Sequence, residues 1–151
     1  DPIRSKEEYV EGLKEDLTWL GLKWDRVERQ SERLDKYRAA ADKLREMGRF
    51  YEAWETPTEL DLKRKKQLNM GKPPVYDRAA LNLTDTEKNK LREERGPGVW
   101  RFKLDHERIE WNDGILGDIS IDAASVSDPV LIRADGQILY TLASVVDDTC
   151  L

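Results

Sequence analysis

Apolar positions fall into two regimes along the chain. Val10, Leu13, Leu17 and Leu20 recur at helical spacing behind Ser5 and Glu8, a capping-box pair, and Gly21 stops the run. The segment Trp19-Leu-Gly-Leu-Lys-Trp24 reads as a helix end and a short extended link, with both tryptophans expected in a core. A second helix is predicted from about Ser31 to Met47, with Leu34, Tyr37, Ala41 and Leu44 on one face and Gly48 as its stop. Phe50-Tyr-Glu-Ala-Trp54 is a short aromatic strand. Thr56, Pro57 and Glu59 then supply an N-cap, a proline at the first helical position and a capping carboxylate, so a third helix starts there. It is basic at Lys63-Arg-Lys-Lys66 and ends before Gly71-Lys-Pro-Pro-Val75, where neither proline can continue it. Leu83, Thr84 and Glu87 open a further short charged helix that stops at Gly96-Pro-Gly98.

From Val99 onward the period changes. Val99 to Leu104, Ile109 to Trp111, Ile115 to Ile121 and Val130 to Ile132 read as strands, with Asn112-Asp-Gly114 and Ala134-Asp-Gly136 as turns. A further apolar strand end is expected to carry Tyr140 into a helix that contains Asp147 and Asp148. The fold class is therefore α/β in the broad sense, a mixed α+β fragment, helical in its first two thirds and stranded in its last. Both ends read as lying inside a longer polypeptide.

Composition narrows the chemistry. Twenty-six Lys and Arg stand against 31 Asp and Glu, a net charge of -5, which excludes a uniformly basic nucleic-acid binder and leaves room for a local basic face. Cys150 and His106 are single, so a disulfide framework, a Cys/His zinc site and a His-activated nucleophile are not expected. No apolar run approaches the ~20 residues that span a bilayer, and the start lacks a signal-peptide pattern; a soluble, cytoplasmic protein is expected.

Asp147 and Asp148 could pair at a metal or as a general base, but they read more simply as a polar helix turn. The cations of Lys63 to Lys66 read as a solvated helix face. Arg101 and Lys103 stand apart, since a two-residue strand period puts them on one face and Trp100 and Phe102 on the other, a candidate surface for an anionic partner. Gly96-Pro-Gly98 is no phosphate cradle.

Several collinear motifs resemble bacterial glutamyl-tRNA synthetases, class I aminoacyl-tRNA synthetases. Asp1-Pro-Ile-Arg4-Ser5 is similar to the tail of their Asp-Thr-Asp-x-x-Arg-Ser segment. Trp19-Leu-Gly-Leu-Lys-Trp-Asp25 resembles their Trp-Leu-Gly-Leu-x-Trp-Asp link. Gly71-Lys-Pro-Pro-Val-Tyr76-Asp resembles Gly-x-Pro-Pro-x-Tyr-Asp, and Val99-Trp-Arg-Phe-Lys103 resembles Val-x-Arg-Phe/Leu-Lys.

The resemblance implies an internal fragment of a Rossmann-type catalytic domain with an inserted acceptor-binding domain. Residues 1–49 would be helices of the first Rossmann half, 50–128 the insertion, and 129–151 the start of the second half. It implies ATP-dependent attachment of glutamate to the 3' end of a glutamate-accepting tRNA through glutamyl-adenylate, with ATP and Mg2+ in the parent enzyme, acting as a monomer in the cytoplasm. Tyr140 matches the family's glutamate-contacting tyrosine, and Ser144 falls where many members place asparagine beside the substrate. Arg4 matches an arginine near the tRNA acceptor end, and Arg101 and Lys103 are further candidates for the tRNA backbone.

No catalytic residue is assigned. The ATP signatures of the His-Ile-Gly-His and Lys-Met-Ser-Lys types would lie before Asp1 and beyond Leu151, so the fragment alone is expected to be inactive. Ala53, Glu55 and Ala80 occupy the family's zinc-cysteine positions, so no zinc is expected. The alternatives are the shorter paralogue that glutamylates a queuosine base on tRNA, and a non-catalytic acceptor-stem-binding module.

Overall fold

The computed structural model describes residues 6–150. The expected Ser5 cap and Arg4 fall outside them. The chain divides into two compact units, one up to Arg33 and one from Leu34 on.

In the first unit, helix α1 (Glu7–Trp19) has Lys6 as its N-cap and no side-chain capping bond. Its C-terminus closes as expected: Gly21 takes φ +75°, and the N–H groups of Gly21 and Leu22 return to the carbonyls of Thr18 and Leu17. Arg29 reaches back to Glu7 with two bonds of 2.8 and 2.6 Å, which draws the segment after the helix toward its start. The two tryptophans contradict expectation. Trp19 is 85% and Trp24 40% exposed, and no residue of α1 is buried. Helical periodicity marks an apolar face without saying that this unit covers it.

The second unit begins with α2 (Leu34–Glu46), preceded by a 3-10 turn at Gln30–Glu32 in place of the expected helical start near Ser31. Tyr37 and Ala41 are buried on its inner face, while Leu34 is exposed. Strand β1 (Phe50–Ala53), helix α3 (Pro57–Asn69), helix α4 (Asp85–Arg95), strand β2 (Val99–Phe102), strands β3 (Arg108–Asp113) and β4 (Gly117–Asp122), strand β5 (Val130–Ile132) and helix α5 (Tyr140–Cys150) follow. Of the three expected capping boxes, the two that lie wholly within the described residues form. Thr56 and Glu59 close α3, and Thr84 and Glu87 close α4, each side chain bonding the other residue's backbone N–H.

The strands make two sheets. An antiparallel sheet has the order β1-β2-β5, with Tyr51 opposite Arg101 and Trp100 opposite Ile132. It is continuous across residues 128 and 129, where the insertion was expected to give way to the next segment. β3 and β4 form a separate hairpin, pairing Ile109 with Ile121 and Trp111 with Ile119. Ile115 and Leu116, expected in a strand, sit in its turn at 94% and 74% exposure. Because Asp113 Oδ1 accepts from the N–H groups of both, the chain reverses there.

One apolar cluster lies on each face of the larger sheet. Ala41, Phe50, Leu131, Ile132 and Leu142 form the first, with Trp100 and Phe102 packed against it. Tyr51, Ala53 and Ala80 form the second, joined by Tyr76, Leu83 and Val99. β2 is the central strand because it pairs with β1 on one edge and β5 on the other, and its half-buried Trp100 and Phe102 pack on the first cluster and its Val99 on the second.

Candidate functional site

Two places in the second unit gather polar groups. The first is the start of α5. After β5, Gly136 at φ +83° turns the chain, Ile138 bridges back to Ile132, and the Leu139 N–H donates to the Leu131 carbonyl. Tyr140 is therefore the first residue of a helix, and not the end of a strand as expected, because the strand is only three residues long and the return segment makes a single bridge. Leu142 and Ala143 turn inward and are buried, whereas Tyr140 is 78% exposed. Ser144 and Asp148 follow at four-residue intervals, so Tyr140, Ser144 and Asp148 lie along one face, Ser144 half-buried and Asp148 exposed.

The acidic pair separates. Asp147 is buried and accepts a bond from the Tyr37 hydroxyl at 2.8 Å, joining α5 to α2. One aspartate is a structural acceptor and its neighbour faces solvent, so the pair does not act together.

The second place is where β1, β2 and α3 meet. Asp128, fully buried, accepts from the Tyr51 hydroxyl at 2.6 Å, from Arg78 at 2.7 Å and from the Leu104 N–H at 3.0 Å. Burial works against its charge, but the bonds from Arg78, Tyr51 and Leu104 hold its carboxyl below the ordinary value. Arg78 holds φ +57°, a left-handed conformation that costs energy outside glycine; its bonds to Asp128 and to the Leu104 carbonyl stabilise it there.

Beside this hub, Tyr76 donates to Glu55 at 2.8 Å, and Lys63 bridges Glu55 at 3.3 Å and Asp77 at 3.0 Å. Burial first, and then the bonds to Asp128 and Glu55, push the Tyr51 and Tyr76 phenols up, so both act as donors at neutral pH. The three residues that the resemblance sets against zinc cysteines, Ala53, Glu55 and Ala80, lie in or beside this region. Ala53 and Ala80 are buried methyl groups in the second cluster, and Glu55 is an acceptor for Tyr76 and Lys63. Among the described residues no group of three or more His, Cys, Asp and Glu is placed to hold a metal ion.

The expected basic face divides in the same way. Strand β2 ends at Phe102, so Lys103 lies just beyond it, half-buried, with its N–H bonded to the Arg49 carbonyl. Arg101 does face away from Trp100 and Phe102, but its side is covered: it is 8% exposed, its Nη1 donates to the Asp128 carbonyl at 2.7 Å, and its guanidinium lies 4.0 Å from the centre of the Tyr76 ring. An open cationic face across Arg101 and Lys103 is thus not what the fold builds. Alternation assigns a side of the sheet, and the Tyr76 segment that covers that side arrives from a distant part of the chain. Asp128, Tyr51 and Arg78 had no local signal, because the bonds that join them link residues 50 to 77 positions apart.

The family model for tRNA synthetases class I (E and Q), catalytic domain, matches residues 1–151. The chain belongs to this class I tRNA synthetase family. Among its relatives, glutamate–tRNA ligase 1 of Roseobacter denitrificans is 84% identical over 149 residues, covering 99% of this chain and 34% of the relative. Glutamate–tRNA ligase 2 of a Ruegeria species is 83% identical over the same length, again 99% of this chain and 34% of the relative. A solved glutamate tRNA ligase from Elizabethkingia meningosepticum, in complex with its amino acid, superposes with a TM-score of 0.80 at 30% identity, over 99% of this chain and 33% of that one. This member of the class I synthetase family thus spans about a third of the length of the relatives it matches. Its α+β architecture is that of the glutamate tRNA ligase structures, in agreement with the fold class read from the sequence.

Proposed function

We propose that the protein carrying this chain is a glutamate–tRNA ligase, which joins glutamate to the 3' end of its tRNA through an ATP-activated glutamyl-adenylate. The observation that carries this reading is the 84% identity, across 99% of the chain, to a protein named for that activity. On this reading residues 1–49 and 129–151 correspond to the two halves of the catalytic fold and 50–128 to the acceptor-binding insertion, the β1-β2-β5 sheet joining insertion to return.

Tyr140 and Ser144 are the proposed glutamate contacts. The exposure of Tyr140 at a helix start supports the assignment, because its hydroxyl is free to donate to a substrate carboxylate and is not spent in a core. Arg4, outside the described residues, is proposed for the tRNA acceptor end together with Lys103, and Arg101 for a more enclosed contact. ATP with Mg2+ would supply the adenylyl group, the glutamate carboxylate bonding to the α-phosphorus as pyrophosphate leaves. The described residues bring no ligand cluster together for that ion, so no step of adenylate formation is assigned to this chain's side chains.

We further propose that the fold holds no zinc, the bonds of Glu55 with Tyr76 and Lys63 standing where the family's thiolates would be; one zinc per chain in elemental analysis overturns this. No helix among the described residues is long and apolar enough to cross a membrane. A cytoplasmic monomer is the proposed working form.

The test is exchange of labelled pyrophosphate into ATP by the intact protein. Exchange is expected with glutamate and not with other amino acids, followed by esterification of tRNA. Residues 1–151 alone are expected to show none. Charging of a modified base in place of the 3' end would overturn the proposal.

A further inference from the structure

Residues 63–72 carry five cations, Lys63, Arg64, Lys65, Lys66 and Lys72, and no carboxylate, in a chain whose net charge is -5. Lys63 is drawn to Glu55 and Asp77, at 3.3 and 3.0 Å. The other four are exposed, and no ion pair among the described residues engages them. By contrast Arg49, Arg78, Arg92 and Arg95 each meet a carboxylate. Cations and acids interleave there and separate on the C-terminal half of α3.

The carboxylates around α3 do not offset this charge. Glu59 is taken by Arg95, and Asp61 is the only other acid of the helix. Lys63, Glu55 and Asp77 together carry one negative charge, so the four exposed cations, set against that charge and Asp61, leave a surplus of two.

Helix polarity explains only part of the pattern. Lys66 stands in the last turn, where a cation complements the helix dipole, but Arg64 and Lys65 come before that turn and Lys72 after it. Lys72 is held to the helix end: Gly71 takes φ +68°, and the Lys72 N–H donates to the Gln67 carbonyl at 2.9 Å. The four cations therefore line roughly 10 Å of one preformed element.

Exposed cations suit an anionic membrane or a phosphate backbone, and the apolar positions decide between them. A membrane-surface helix buries a continuous apolar face. Leu62 and Leu68, exposed at 62% and 58%, lie about 120° apart round α3 with Lys65 between them, so no such face exists. A nucleic-acid strand asks only for closely spaced charge. A duplex carries one phosphate charge per ~1.7 Å of its axis, so this stretch of cations faces several phosphates at once.

We propose that the outer side of the C-terminal half of α3, with Lys72, is a phosphate-backbone contact for tRNA. It holds the strand by charge and reads no sequence. Naming the strand as tRNA rests on the proposed ligase function, whereas the charge itself calls only for a nucleic-acid backbone.

Two variants of the intact protein, equal in the charge they remove, test the surface: Lys65→Gln with Lys66→Gln on α3, and Lys36→Gln with Lys43→Gln on α2, all four positions being exposed. Binding of glutamate-accepting tRNA is measured across about 50–200 mM salt. The α3 pair is expected to weaken it at least about fivefold at the low end and to lower the slope of log affinity against log salt by about 1–2, while the α2 pair leaves both in place. Both pairs are expected to keep the wild-type thermal midpoint, so that lost binding is not lost fold. Equal effects of the two pairs would reduce the surface to a general field of charge and overturn the proposal, as would an unchanged slope in the α3 pair. Phosphatidylglycerol vesicles that bind the wild type and not the α3 pair, with tRNA binding unchanged, would assign the face to a membrane and overturn it too. A protein that charges tRNA with glutamate and keeps full affinity in the α3 pair loses this surface and keeps its proposed function. One whose α3 pair lowers the salt slope, without any charging of tRNA, keeps the surface and loses the function.

Discussion

The Asp128 hub and the outer face of α5 use similar residue types to opposite ends. At the hub a tyrosine, an arginine and a backbone N–H converge on one buried carboxylate. On α5, Tyr140, Ser144 and Asp148 stand along a helix face, with Tyr140 and Asp148 exposed and Ser144 half-buried. The difference shows where polar groups hold the fold and where they are free to meet something else. Polar chemistry in a sequence does not itself mark a site; what matters is whether the fold has already satisfied it.

The largest effect expected from this contrast is at the hub. Asp128→Ala leaves the Tyr51 hydroxyl, the Leu104 N–H and the Arg78 charge without their acceptor, and breaking a buried pair of this kind costs about 3–5 kcal/mol. A fall of that size in urea-unfolding free energy is expected, and a loss below about 1 kcal/mol would erase the distinction between the two regions. Tyr140→Phe should separate function from stability. It is expected to cost about 1–3 kcal/mol in the glutamate requirement of pyrophosphate exchange through loss of one charge-assisted donor, with the unfolding midpoint unchanged. Unchanged glutamate kinetics would return Tyr140 to the surface residues without function.

Smaller effects belong to features that depend on neither region. Thr56→Ala removes one half of the α3 capping box and is expected to cost about 1 kcal/mol, as is Thr84→Ala at α4, each measured by thermal unfolding. The smallest concerns acid. The Glu59 carboxyl is held down at about 2, first by its hydrogen bond from Arg95 and then by the Thr56 N–H. The folded value lies below the unfolded one, so the stabilisation is complete above about pH 4.5 and is lost as pH falls toward 2. Because the pair is well exposed, it contributes about 0.2–1 kcal/mol. The stability difference between wild type and Glu59→Gln should be measurable at pH 7 and close to zero at pH 2.

What the sequence made legible was local. The two capping boxes could be read because each needs only four consecutive residues, and the Gly21 and Gly136 turns because positive φ favours glycine. The α1 face was legible as a period, but what covers Leu13 or Trp19 was not, since burial belongs to the partner surface as much as to the residue. At the candidate sites, the side of β2 occupied by Arg101 was correct and its openness was not. Tyr140 was proposed by resemblance and expected at a strand end, whereas it is the first residue of α5. The bonds of Tyr51 with Asp128 and of Tyr37 with Asp147 span 77 and 110 positions, and no periodicity reaches so far.

The β3–β4 hairpin has a consequence for how this protein comes apart. Its six cross-strand pairs carry Ile109, Trp111 and Ile121 at 52%, 45% and 41% exposure, so little apolar burial opposes its opening. A two-stranded ribbon is marginal in water, and its amides should exchange with solvent through local opening well before those of β1 and β2. A protease that reaches the Ile115-Leu116 turn would then cut the chain between β2 and β5. Those two strands remain neighbours in one sheet, so the nicked molecule should stay together as two non-covalently joined pieces until it unfolds.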